Sequence, residues 1–377
     1  MLTPAAGTAL SGFYGNYLAG APAVRVTDKQ GQPLAGVAVS FAATGGGQLT
    51  GAQATSDSAG HASLTSWRLG ASGAQQVTAT TSDAAPLSFT AAATAPPAST
   101  FRIEVRYASG TVPTAAQAAA FDSAAARWTR IILKGGDPYP IHEVSPGCGD
   151  LTGETVDGVV ITAELKDLDG AGQILGSAGP CILRDADYLP AQGIMQFDTA
   201  DLAVLEARGQ LRDVILHEMG HVLGFGTVWD LLPIGQPTQS LLLRSPPTDP
   251  VFTGLTSRAA LYGLAGVNGF AGTPVPVENT GGQGTIFSHW REATFGSELM
   301  TGWLNPGLNP LSALTIAQFK DLGYQVNDAL GENIGVAALL QAAGQAPLPL
   351  IEGQLTMPLL VIDRSGHAVR RVPRVFK

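Results

Sequence analysis

Apolar and polar positions alternate in short runs through residues 20–93, as in Val24-Arg25-Val26, Val37-Ala38-Val39-Ser40-Phe41 and Gln76-Val77-Thr78-Ala79. Period-two runs separated by Gly, Asp and Pro predict strands with one buried face, and several in succession predict a β-sandwich. Turns are expected at 28–33, 45–47 and 57–60. The small, Pro-containing stretch 96–100 reads as a linker, and the pattern changes after it. Phe101, Ile103, Val105 and Tyr107 alternate with charged residues and predict a strand. Phe121, Ala125, Trp128 and Ile132 then recur at helical spacing behind Pro113 and predict a core-packing helix. Further strands are expected at 158–165, 173–177 and 194–197, followed by one helix at about 202–223. Beyond Gly226 the chain is Gly- and Pro-rich until a short helix within 312–323. Residues 329–377 read as an appendage of unknown role, with a hairpin at Arg364-Ser365-Gly366.

The first 95 residues resemble the bacterial immunoglobulin-like domains of the intimin and invasin type. The run from Val26 to Phe41, the run from Thr55 to Ala62 and the closing Leu87-Ser88-Phe89-Thr90-Ala91 carry that resemblance. A length of 377 residues exceeds what one core usually organises, and 45% hydrophobic against 14% charged residues describes a folded, loop-rich chain. The net charge of −9 offers no basic surface for a phosphate backbone, so nucleic acid is not an expected partner. No stretch approaches the roughly 18–20 consecutive apolar residues of a membrane-spanning helix. Cys148 and Cys181 are the two cysteines, and a single disulfide is expected; two free thiols, or a thiolate capping a metal, are the alternatives.

His217-Glu218-Met219-Gly220-His221 lies within the apolar-periodic run Leu211, Val214, Ile215, Leu216 and Leu223, which places it on a helix. Two imidazoles four residues apart then share one face and can chelate one ion, with Glu218 turned aside to act as general base. The plainer alternative is a pair of hydrogen-bonded histidines. Val222-Leu223-Gly224 follows, and Gly224 three residues past His221 lets the helix break and the chain turn under the metal. This resembles the metzincin layout, in which a third histidine usually stands at the position of Thr227. A third ligand must come from elsewhere: His61 lies in the sandwich, His142 in a Pro-rich loop and His367 in the tail, which leaves His289.

An insertion before the third histidine is a feature of the leishmanolysin-like branch, and residues 101 to about 328 resemble that family. The matching segments are Leu175 to Cys181, Gly193 to Asp198, His217 to Gly226, Ser288-His289-Trp290, Glu298-Leu299-Met300, and Leu314 through Tyr324. The resemblance implies that Met300 packs beneath a zinc ion without ligating it. It also implies that 173–178 form an exposed edge strand against which an extended peptide pairs antiparallel; an ordinary sheet strand is the alternative. Gly302 and Trp303 stand where several metzincins carry a transition-state tyrosine, so no oxyanion-stabilising residue is assigned. Asp167-Leu168-Asp169-Gly170 resembles a fragment of a calcium loop, but too few carboxylates follow in register and a turn is the preferred reading.

The expected architecture is therefore multidomain: an all-β immunoglobulin-like sandwich (1–95), a linker (96–100), an α+β metzincin-type zinc protease domain (101–328, upper part to about 226, lower part 227–328) and the C-terminal extension. The expected function is a secreted zinc-dependent endopeptidase, with His217, His221 and His289 holding one zinc and Glu218 activating water. A protein or peptide is the expected substrate, with cell-surface or matrix contact through the sandwich. The rival is an adhesin or binding protein whose zinc domain is catalytically silent. Extracellular or cell-surface location rests on the sandwich, the cysteine pair and the family, since Met1 to Leu10 contains no basic segment followed by an apolar one.

Overall fold

The computed structural model describes residues 1–18, 21–172, 174–231, 240–265, 273–332, 348–353 and 355–373. Leu87–Thr94 illustrates how the N-terminal sandwich forms, because its side chains alternate between exposed and buried along the strand. It pairs with Gly73–Thr80 on one side and Ala9–Phe13 on the other, in a five-stranded sheet that also holds Ala38–Thr44 and Gln53–Thr55. A three-stranded sheet of Leu2–Pro4, Ala23–Val26 and His61–Ser63 and a short pair, Gln48–Thr50 with Ser66–Arg68, complete it. Val24, Val39, Trp67, Val77 and Phe89 fill its core.

The second body is built on a six-stranded sheet in the order Ile103–Tyr107, Val159–Lys166, Pro190–Asp198, Gly176–Arg184, Leu359–Ile362 and Ala368–Val372. Helix Ala115–Ile131 is started by a capping box between Thr114 and Gln117 and buries Phe121, Ala124, Trp128 and Ile131. The Trp128 indole donates to the Leu216 carbonyl and so ties this helix to Leu211–Val222, which also packs on strands Gly176–Arg184 and Pro190–Asp198. Cys148 and Cys181 form a disulfide within the upper sheet region. Below, Leu255–Ala265 packs on Ala313–Asp321.

The two bodies meet through Asn16 and Tyr17. Asn16 Nδ2 donates to the Val326 carbonyl at 3.0 Å, the Tyr17 amide donates to Asp328 at 3.1 Å, and Lys320 Nζ donates to the Tyr17 carbonyl at 3.0 Å. The Tyr17 ring packs among Ala259, Ala260, Ala313 and Ala317.

Three expectations are corrected. The single helix at 202–223 is two, Thr199–Ala207 and Leu211–Val222, with Gly209 between them at φ 69°. The tail is no appendage: Leu359–Ile362, buried at all four positions, pairs parallel with Ile182–Arg184 of the main sheet and carries the hairpin strand Ala368–Val372. The edge is covered rather than exposed at Leu175 and Gly176. Ile351 and Gly353 hydrogen-bond to it, at 2.9 Å from the Leu175 amide to the Ile351 carbonyl and 2.8 Å from the Gly353 amide to the Gly176 carbonyl. Gln173, the first residue of the expected strand, lies outside the described residues.

Candidate metal centre

His217 and His221 project from one face of the buried helix Leu211–Val222, four residues apart, and both are shielded from solvent. Their Nε2 atoms stand 3.0 Å from each other. The helix stops where Gly224 takes φ 113°, and Thr227 donates its hydroxyl to the His221 carbonyl as part of that ending. The chain returns with His289, whose Nε2 lies 3.1 Å from both other Nε2 atoms. Trp290 fixes this return: its amide donates to the Met300 carbonyl at 2.9 Å, and its indole donates to Thr315 at 2.8 Å. Buried Glu298 gathers the next turn by accepting from the Met300 amide and the Ser312 and Thr315 hydroxyls. Met300 is fully buried, and a Cβ placed on Gly220 would stand 3.1 Å from its sulfur.

A fourth group joins the three imidazoles, and sequence reasoning did not find it. Glu352 Oε1 lies 3.1 Å from His217 Nε2, 2.8 Å from His289 Nε2 and 3.4 Å from His221 Nε2. The only signal available was one acid inside the apolar run Leu348-Pro349-Leu350-Ile351-Glu352-Gly353. Among the described residues this is the one group of three or more His, Cys, Asp or Glu side chains gathered closely enough to hold an ion.

The hydrogen bonds on the far side of each ring decide what the centre can bind. His217 Nδ1 faces the Leu299 carbonyl at 2.6 Å, His221 Nδ1 the Phe225 carbonyl at 2.9 Å and His289 Nδ1 the Thr285 carbonyl at 3.0 Å. A carbonyl only accepts, so each ring carries its proton on Nδ1 and turns an Nε2 lone pair inward. Three lone pairs and a carboxylate oxygen therefore converge, and a cation satisfies all four. The six separations run from 2.8 to 3.4 Å. Atoms bound tetrahedrally to one zinc at ~2.0–2.1 Å stand about 3.3 Å apart, so the donor set fits zinc in kind and in size.

The electrostatics favour one positive charge at this cluster. Burial pushes the His217 imidazole down to about 4. Burial also disfavours a charged His221, but Glu352 and Glu218 outweigh it and push that ring up to about 9. Two rings with Nε2 atoms this close cannot both be cationic, so the cluster carries one positive charge. Burial opposes ionisation of Glu352 too, yet the surrounding imidazoles hold its carboxyl well below the ordinary range.

Glu218 is buried beside the cluster, and neither of its carboxylate oxygens has a hydrogen-bond partner among the described residues. Burial, and then the charge of Glu352, holds its carboxyl well above the usual carboxylate range. Next to His221 and Glu352 opens a cavity of about 260 Å³ lined by Ala178, Phe287, Leu355 and Leu359, with Arg244 among its polar residues. His61 lies exposed in the sandwich, while His142 and His367 pack against each other with centroids 5.1 Å apart. The 167–170 segment is a turn: the Leu168, Asp169 and Gly170 amides donate to Asp198, and Asp169 accepts from the Ile174 amide.

Residues 156–340 match the family model of the leishmanolysin peptidases, and that part of the chain is similar to that family. A leishmanolysin homolog of Crithidia fasciculata is 32% identical over 156 residues, 40% of this chain and 22% of that protein. The ciliated left-right organizer metallopeptidase of Xenopus laevis is 27% identical over 168 residues, 40% of this chain and 23% of that protein. The chain thus spans less than a quarter of either relative. Among solved structures, invasin, a bacterial integrin-binding protein, matches 26% of this chain and 19% of its own at 22% identity and TM-score 0.21. The D0-D1 domain of intimin matches 26% of this chain and 48% of its own at 20% identity and TM-score 0.22.

Proposed function

We propose that this chain, with its leishmanolysin-like domain behind an immunoglobulin-like sandwich, is a zinc-dependent endopeptidase that works outside the cell or at its surface. In this reading His217, His221 and His289 hold the zinc, Glu218 is the general base, Met300 supports the centre from below and the sandwich contacts a surface or matrix. The observation that carries it is the convergence of three Nε2 lone pairs, each fixed by a carbonyl behind its ring.

Zinc bound there would supply Lewis acidity and a water of lowered pKa. The protein's own part follows from its side chains. Glu218, buried and without a protein partner, has two free acceptor oxygens for a proton of the attacking water. An environment that raises its affinity for that proton also lets it pass the proton on to the leaving amine. Once Leu175 and Gly176 are released from Ile351 and Gly353, that strand would offer backbone pairing to an extended peptide, and the cavity beside His221 can take an apolar side chain next to the cut. The Cys148–Cys181 disulfide suits an oxidising compartment.

The silent-scaffold reading leaves Glu218 unexplained. A buried carboxylate with neither oxygen paired costs stability on the order of 1–3 kcal/mol or more, a cost that catalysis accounts for and a passive scaffold does not. The test is zinc content and casein cleavage, measured together for wild type, Glu218→Gln and His289→Ala. One zinc per chain with cleavage, zinc without cleavage, and loss of zinc are expected in that order. Cleavage by Glu218→Gln at the wild-type rate would remove Glu218 from its role, and unchanged zinc affinity in His289→Ala would remove the third ligand.

A further inference from the structure

Residues 348–353 cross the cleft from one wall to the other. On the lower wall Leu348–Pro349 pairs antiparallel with Trp303–Leu304, and the Leu350 amide donates to the Gly302 carbonyl at 3.0 Å. Leu350 is buried in the main core and anchors this end. On the upper wall Ile351 and Gly353 hydrogen-bond to Leu175 and Gly176 and so occupy the edge where a peptide substrate would pair. Their run is parallel to that strand, opposite to the antiparallel course expected of a substrate. Between the two walls Glu352 sets one carboxylate oxygen 2.8–3.4 Å from the three Nε2 atoms, in the fourth position of the donor set. Catalytic zinc sites keep that position for water or substrate.

We infer that Ile351–Gly353 is an internal strap that holds the peptidase latent, its backbone filling the substrate edge and the Glu352 carboxylate filling the water position. The inference rests on the peptidase reading above. Two independent blocks coincide, one on main-chain pairing and one on the metal centre, and each is made by the same three residues. The blocking piece carries little apolar attachment of its own: Ile351 is 41% exposed, and Gly353 has no side chain. Its hold therefore comes from a few backbone hydrogen bonds and one carboxylate, which a competing peptide, a partner or a cut in the strap can replace.

The experiment compares the full-length wild type with Glu352→Ala and Gly353→Pro, the latter removing the donor to Gly176 while keeping the carboxylate. Casein cleavage is read on the zinc forms, and acetohydroxamate binding is read on the cobalt-substituted forms by their visible spectra. A strap closed more than ~90% of the time predicts about a tenfold or greater gain in cleavage when it is released. Hydroxamate should also bind both variants at concentrations that leave wild type unchanged, and Gly353→Pro keeps the test open if Glu352→Ala does not fold. Equal cleavage and equal hydroxamate binding in all three overturn the strap and leave the peptidase reading intact. No cleavage by any chain, with hydroxamate binding confined to the variants, supports the strap and sinks the peptidase reading. Loss of metal from folded Glu352→Ala, with Gly353→Pro behaving as wild type, makes Glu352 a permanent fourth ligand and overturns the strap.

Discussion

Gly226 couples the end of the metal-site helix to the third histidine, and replacing it separates two costs that usually travel together. Its φ is 70°, and a Cβ built on it would lie 2.1 Å from the Ser288 carbonyl oxygen and 2.8 Å from the carbonyl carbon. The left-handed backbone alone costs an L-residue about 1–2 kcal/mol. The clash is of another kind, because its partner is main chain and no rotamer relieves it. Restoring ordinary contact requires Ser288 to retreat by roughly 1 Å, and the adjoining His289 must follow. Zinc–ligand distances tolerate about 0.2 Å, and disturbing the groups that orient a ligand typically costs ~10–100-fold in affinity. Gly226→Ala should therefore lose at least about tenfold in zinc affinity, as well as thermal stability. Gly209→Ala is the matched control, since Gly209 sits at φ 69° with nothing within 4 Å of its would-be Cβ. It should show the backbone cost and bind zinc normally. The assay is competition against a chelator of known affinity, with melting temperatures recorded with and without zinc. If Gly226→Ala binds zinc as tightly as Gly209→Ala, the proposed link between this turn and His289 is wrong.

The junction between the two bodies should be pH-dependent through Asp328, whose carboxyl burial pushes up from 3.8 to about 7 against the opposing charge of Lys320. A folded-state value above the unfolded one means stability is complete below about pH 4 and is lost as pH rises toward 7, a span worth roughly 4 kcal/mol. Melting temperature should fall across that window in wild type, and Asp328→Asn should remove this component; an identical slope in both would refute it. Arg184 is fully buried and donates to the carbonyls of Asp137, Leu189, Pro190, Val156 and Gly158. Arg184→Met strands those acceptors and should destabilise the sheet by about 3–5 kcal/mol, read by denaturant unfolding; a loss under about 1 kcal/mol would show that the carbonyls find other partners.

How much of the fold was legible follows from where each element finds its partners. The strand Leu87–Thr94 and the helix Ala115–Ile131 announce themselves by period, and the helix also by its own capping box. Helix Leu255–Ala265 was missed because its start is stabilised from a distance: Asp321 accepts from the amides of Thr256 and Ser257. Strand Leu359–Ile362 was undervalued for a similar reason. Four apolar residues in a row are ambiguous until the partner, Ile182–Arg184, is seen some 180 positions earlier.

The site divides along the same line. His217, Glu218 and His221 owe their arrangement to spacing on one helix, so five residues sufficed to read it. His289 needed the surrounding family motif, because its approach depends on Trp290 bonding to the Met300 carbonyl and to Thr315. Glu352 had no local signature, since its place is set by its bridge to Gly176 and by the hydrogen bond of the preceding Leu350 to Gly302 across the cleft. Gly220 shows the limit from the other direction. In the sequence it is a spacer between Glu218 and His221, and any small residue would seem to serve. In the structure a Cβ there would sit 3.1 Å from the Met300 sulfur and methyl carbon and 3.4 Å from the Trp128 ring. The missing side chain lets the methionine turn and the first helix close on the metal-site helix from two sides. Part of the motif's information is thus steric, and it becomes readable only when the segments that use the space are in view.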